Sequence, residues 1–120
     1  MERSDFRDAN LTNAKLGRLI ATWGSYSPRA VLLSANFSGG NLRHADLSKG
    51  VFQFANFRAA NLTGADLRDC DFTKADFFGA DLTGANVTGA DFDGANLSDV
   101  KGLDGTIGMA SAKNLASAIR

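Results

Sequence analysis

The 120-residue sequence predicts an all-β solenoid, a four-sided β-helix with a packed interior, and three observations carry that prediction. Large apolar residues recur every five positions without a gap from Phe37 to Leu97. Small residues stand two positions before each of them, and glycine recurs two positions after many of them. Residues twenty apart resemble one another, which sets the length of one circuit.

From Ala35 to Asp99 the chain divides into five-residue units: a small residue, usually Asp or Asn, a large apolar residue, then two variable positions. Ala65-Asp66-Leu67-Arg68-Asp69 is typical. A period of five drifts out of phase with both the 3.6-residue helix and the two-residue flat strand. It fits a short strand followed by a corner. With the small and large residues inward, strand alternation turns the Asp/Asn outward, along with the residue after the large one. The fifth position turns the corner, and six of these are glycine (Gly39, Gly64, Gly79, Gly84, Gly89 and Gly94), as expected where the backbone needs conformations other residues resist.

Taking every fourth unit sorts the large residues into columns. Phe37, Phe57, Phe77 and Leu97 form one, Leu42, Leu62 and Leu82 the next, Leu47, Leu67 and Val87 a third, and Phe52, Phe72 and Phe92 the last. Two adjoining faces are therefore aromatic inside and two aliphatic, with Phe37, Phe57 and Phe77 in one internal stack and Phe52, Phe72 and Phe92 in another.

These units resemble the pentapeptide-repeat family, whose motif is Ala, Asp or Asn, Leu or Phe, and two variable residues; the match is strong over about residues 30–100. The resemblance implies a right-handed quadrilateral β-helix with four pentapeptides per 20-residue coil, in agreement with the columns.

The β-helix is expected over residues 1–105. Phe6, Leu11 and Leu16 follow the same pattern one residue out of phase, so an irregular insertion or loop is expected at about 17–29, a segment carrying Trp23, Tyr26 and the only proline, Pro28. After Leu97 the repeat stops. Residues 106–120 are expected to form a short capping α-helix over the open end, because Ala112, Leu115, Ala116 and Ile119 are spaced to share one helical face. Lys113 and Arg120 would favour its C-terminal half.

Composition excludes several function classes. Thirteen Lys plus Arg balance thirteen Asp plus Glu, so neither direct nucleic-acid binding nor attraction to an anionic membrane is expected. No apolar run is long enough for a membrane span, and Met1-Glu2-Arg3-Ser4-Asp5 lacks the form of a signal peptide; a cytoplasmic protein is expected. Cys70 is the only cysteine, sits in an inward small-residue slot, and stands in for alanine. His44, the only histidine, is at a corner near Asp46 with no second ligand or nucleophile placed beside it. Stacked carboxylates, Asp46 over Asp66 and Asp71 over Asp91, belong to the repeat and do not converge on a cleft. No catalytic residue, cofactor or metal is expected.

Apolar residues in outward slots are more informative. Val31, Leu33, Val51 and Phe54 gather on the first coils and Phe78 on the adjoining face, where Arg58 should lie one coil away from its ring. With Trp23 and Tyr26 they mark a candidate surface for a protein partner or a homo-oligomer. The leading expectation is a non-enzymatic structural or protein-interaction module. The alternative comes from the resemblance, since some family members imitate duplex DNA and bind or protect DNA gyrase and other type II topoisomerases. Residues 35–99 hold nine Asp against five Lys or Arg, and Ala75 to Asp99 holds five Asp, including Asp76, Asp81 and Asp91, with no cation. That band is sparse beside duplex DNA, which carries about one charge per 1.7 Å.

Overall fold

A computed structural model describes residues 5–12 and 33–119. The expected coil is present. Parallel bridges link residues twenty apart down four columns, which define the faces: Asn36, Asn56, Asp76 and Asn96 on face 1; Asn41, Asn61 and Asp81 on face 2; Asp46, Asp66 and Asn86 on face 3; Val51, Asp71 and Asp91 on face 4. The bonds between coils run in both directions at each column. Asn61 N–H donates to Gly40 O (2.9 Å) above, and Leu62 N–H donates to Asp81 O (2.8 Å) below.

Inward positions are closed to solvent. All thirteen large residues from Phe37 to Leu97 and the alanines and Cys70 two positions before them are buried, with no polar side chain among them. Phe37, Phe57 and Phe77 stack with ring centroids 4.9 Å apart. Phe52, Phe72 and Phe92 stack at 5.7 and 5.5 Å. The two stacks meet edge to face, as between Phe57 and Phe72 at 86°, an arrangement the ring quadrupole favours. Phe6 extends the first stack, lying 4.9 Å from Phe37, and Asp5 and Asn10 bridge Asn36 and Asn41. The register here is thirty-one residues rather than twenty, which accounts for the phase slip in the sequence. The expected insertion at 17–29, with Trp23 and Tyr26, and Leu16 and Val31 lie outside the described residues.

Each corner is a β-turn closed by a bond such as Ala45 N–H to Leu42 O (3.1 Å), with positive φ at its third residue. Glycine fills six of these sites between 35 and 99, but His44, Lys49, Phe54, Ala59, Asp69, Lys74 and Asp99 take the same conformation. Several glycines have a second reason. A Cβ at Gly64 would lie 2.5 Å from His44 Nδ1, and Cβ atoms at Gly89 and Gly94 would meet Asp69 and Lys74, each the corner residue one coil earlier.

The C-terminal segment differs from expectation. No α-helix forms over the described residues 106–119, which make a further coil of six-residue units instead. Lys101, Ile107, Lys113 and Ile119 bridge Asp81, Asn86, Asp91 and Asn96, one on each face. Between them run three short 3-10 turns, Leu103–Gly105 (η1), Met109–Ser111 (η2) and Leu115–Ser117 (η3), each preceded by a left-handed residue, Gly102, Gly108 and Asn114. Leu103, Met109 and Leu115 pack against the core, so the segment does lie over the solenoid interior. Ile119, assigned to a buried helical face, is 57% exposed. A short helix would have left the backbone edge of the preceding coil unpaired. The coil instead supplies Lys101 O, Ile107 O, Lys113 O and Ile119 O to Leu82, Val87, Phe92 and Leu97 N–H. Among the described residues no helix is long and apolar enough to cross a membrane.

Candidate interaction surface

The outward Asp/Asn of each unit has a local task. Its side-chain oxygen accepts the N–H two residues on, as Asp76 does from Phe78 (3.0 Å), Asp81 from Thr83 (3.0 Å) and Asp91 from Asp93 (3.0 Å). This Asx turn holds the chain as it approaches the corner, and it explains why the slot takes Asp or Asn rather than any polar residue. The stacked carboxylates are thus turn-forming groups spread around the solenoid.

Their charges also have company. Asp76 pairs with Arg58 (Nη1 to Oδ2, 3.0 Å), and Asp91 accepts from Asn114 Nδ2 (2.8 Å). Asp93 accepts from the Ser117 hydroxyl (2.6 Å). The Thr83 hydroxyl bond holds the Asp81 carboxyl below the usual carboxylate range, with Lys101 adding to the effect. Arg68 does the same to Asp66 through a side-chain hydrogen bond. Asp76, Asp81 and Asp91 sit on faces 1, 2 and 4, so the acidic segment of the sequence is not one acidic face. The polar partners of Asp91 and Asp93 lie in the six-residue coil, whose register could not be read without its bridges.

Cys70 is buried and its thiol donates to Leu47 O (2.9 Å); burial pushes its pKa up, in keeping with an alanine stand-in. His44 is an exposed corner residue whose ring lies over Gly64.

The outward apolar residues are less uniform than the sequence suggested. Leu33 and Val51 are half-buried on face 4. Phe54, at the corner between faces 4 and 1, is 58% exposed, and Phe78, on face 1, is 37% exposed. Arg58 lies over the Phe78 ring, its Cζ 4.6 Å from the centroid, as the twenty-residue spacing anticipated. The same spacing sets Lys74 Nζ 5.8 Å from the Phe54 centroid, a pairing that the sequence reading overlooked. Two phenyl rings, each with a cation alongside, therefore stand at the edges of face 1, with Asp76 between them.

The pentapeptide-repeat family model matches residues 25–49, 51–88 and 60–99, with eight copies. The chain belongs to the pentapeptide-repeat family. Among solved structures it is similar to HetL, a pentapeptide repeat protein involved in heterocyst differentiation regulation from the cyanobacterium Nostoc, at 28% identity and a TM-score of 0.72. That similarity covers 98% of this chain and 47% of HetL, so the chain spans about half the length of that relative. It also resembles Rfr23, a pentapeptide repeat protein from the cyanobacterium Cyanothece, at 23% identity and a TM-score of 0.55, covering 98% of this chain and 88% of Rfr23. No curated protein matches the chain. Membership of the pentapeptide-repeat family, together with these solved relatives, gives the four-sided solenoid its right hand.

Proposed function

We propose that this pentapeptide-repeat chain is a non-enzymatic display scaffold that contacts a protein partner through side chains on its flat faces. The observation that carries this reading is the division of labour in each unit. Inward residues fill the core and the outward Asp or Asn forms a turn, while Phe78 sits exposed in a position that the fold leaves free and Phe54 sits exposed at a corner whose positive φ favours glycine. Exposed aromatics flanked by cations are common at protein interfaces. HetL, similar over half its length, is involved in a regulatory process, and a regulatory contact is the role proposed here. The test is affinity capture followed by mass spectrometry, using the intact protein and the Phe54→Gly/Phe78→Ser variant. Partners retained by the first and lost by the second are expected. Identical sets from both, or hydrolase or transferase activity in the pure protein, would overturn the reading.

A second reading, mimicry of DNA toward DNA gyrase or a related topoisomerase, is favoured by the five Asp without a cation from Ala75 to Asp99. Their spread over several faces and their ion-pair and hydrogen-bond partners weigh against it. Supercoiling assays decide: strong inhibition that disappears in Asp76→Asn/Asp81→Asn/Asp91→Asn would replace the first reading, and only a weak effect is expected.

A further inference from the structure

Phe54 is costly where it stands. Its φ of 61° is a backbone conformation that a bulky side chain resists, and the residue is 58% exposed, so burial against the described residues offsets little of the strain. Glycine, which fills Gly94 in the same corner column, would avoid both costs. Phe78 is likewise free of any core duty, in a slot that holds Arg7, Ser38, Arg58 and Ser98 in the other described coils of face 1. Two such residues framing one face point outward to an occupant, and the arrangement around them identifies it.

In the corner column Phe54 precedes Lys74 by one coil, whereas in the column across face 1 the order is reversed and Arg58 precedes Phe78. Ring and cation therefore alternate along both directions of the face. A two-fold axis lying in the plane of the face, perpendicular to the solenoid axis and midway between these coils, would set Phe54 against the second copy's Lys74 and Arg58 against its Phe78. The column between them would set Asn56 against Asp76, an amide donor against a carboxylate. The other in-plane axis, parallel to the solenoid, would bring Asp76 against its own copy. Within the same two coils Ala59 would meet Gly79, and in the coils on either side Ser34 would meet Gly94, Asn36 would meet Asn96, Ser38 would meet Ser98 and Gly39 would meet Asp99, the one charged residue among them. Nothing long or like-charged holds these rows apart, and a formal net charge of zero adds no long-range repulsion.

We infer that face 1 is a self-docking surface, and that two copies of this chain pair across it as an antiparallel, isologous dimer. The contact would bury the Phe54 and Phe78 rings and place every ring opposite a cation. The inference extends the proposed scaffold role by naming one occupant of one face; the scaffold role survives if the dimer does not.

Sedimentation equilibrium over a concentration series is the first measurement, with a reversible monomer–dimer equilibrium expected. Phe54→Gly/Phe78→Ser should weaken association at least tenfold while the melting temperature of the monomer holds or rises, since glycine relieves the positive φ. Orientation is tested by cysteine cross-linking in a Cys70→Ala background. Mixing the Asn56→Cys and Asp76→Cys proteins should give a disulfide-linked dimer in greater yield than either protein alone, because the antiparallel pairing opposes those two positions. A wild-type protein that stays monomeric at high micromolar concentration, a double variant that dimerises as well as wild type, or Asp76→Cys linking to itself as readily as to Asn56→Cys would each overturn the proposal. Monomeric protein that still captures a partner in the preceding experiment would leave the scaffold reading intact.

Discussion

The coils between residues 35 and 99 and the coil between 101 and 119 solve the same problem with different periods. In the former, every unit buries one large side chain and one small residue, alanine except at Gly40, Gly50 and Cys70, and the core residues are closed to solvent. In the latter, an added residue per unit winds a 3-10 turn, Leu103, Met109 and Leu115 remain half-buried, and the outward slots alternate Lys101, Ile107, Lys113 and Ile119. At the strand positions the backbone bonds to the neighbouring coil are kept in both, but at the corners only Gly84 N–H reaches a carbonyl of the last coil (Gly105 O, 3.1 Å), while Gly94 N–H bonds the Ser117 hydroxyl. Side-chain packing and corner bonding both thin out there, which teaches that coil stacking here is held by the strand-position main-chain bonds and tolerates a change of period, with the left-handed residue moved from the third turn position to the residue before each 3-10 turn.

Truncating the two regions should expose that difference. Phe72→Ala leaves a cavity in the middle of one aromatic stack, where it meets the other, and is expected to cost roughly 3–5 kcal/mol in urea unfolding, whereas Met109→Ala, over the core but half-exposed, should cost less than about 2 kcal/mol. Equal losses would mean that the six-residue coil is as tightly packed as the others.

A smaller effect separates a coil from a helix in the C-terminal segment. Gly108 has a φ of 82°, and a Cβ there would come within 2.8 Å of Thr88 Cα. Gly108→Ala should therefore destabilise by about 1–2 kcal/mol and loosen the Lys113 amide in hydrogen exchange. In an α-helix the same change would stabilise.

The smallest expected effect is electrostatic. Asp66 and Asp81 are lowered in the folded chain by Arg68 and Thr83, so their contribution is full above the unfolded carboxylate value and is lost as pH falls through the lower folded one. Asp66→Asn and Asp81→Asn should each flatten the acid limb of a stability–pH curve below about pH 4 and leave neutral pH nearly unchanged. Because Lys101 also acts on Asp81, the second variant reports on contact between the two kinds of coil.

The regular coils were legible because one inward slot and one corner slot constrain residue type at every repeat. Phe37, Phe57 and Phe77 could be placed in one stack from spacing alone, and so could Arg58 over Phe78. The six-residue coil escaped that reading because its repeat, Lys101-Gly102-Leu103, Ile107-Gly108-Met109 and Lys113-Asn114-Leu115, occurs once around the solenoid and has no second coil to compare with. Ala112, Leu115 and Ala116 also satisfy a helical spacing, and only Gly102, Gly108 and Asn114, six apart, signal left-handed corners. The partners of the acidic segment were hidden for the same reason, since Asn114 and Ser117 reach Asp91 and Asp93 through that register.

The corner columns bear on how such a chain can grow. His44 lies over Gly64, Asp69 over Gly89 and Lys74 over Gly94, so at these three corners a long side chain is followed by bare backbone, whereas Lys49 before Asp69 and Phe54 before Lys74 set long residues in succession. Residues 75–94 have glycine at all four corners and project no corner side chain onto the coil that follows. Tandem duplication of that stretch would add a coil without a collision, whereas duplication of residues 40–59 would set one His44 ring upon another. The molecule thus has a preferred stretch for lengthening by copying, and an ancestral history of unequal exchange would leave glycine-cornered coils over-represented among its longer descendants.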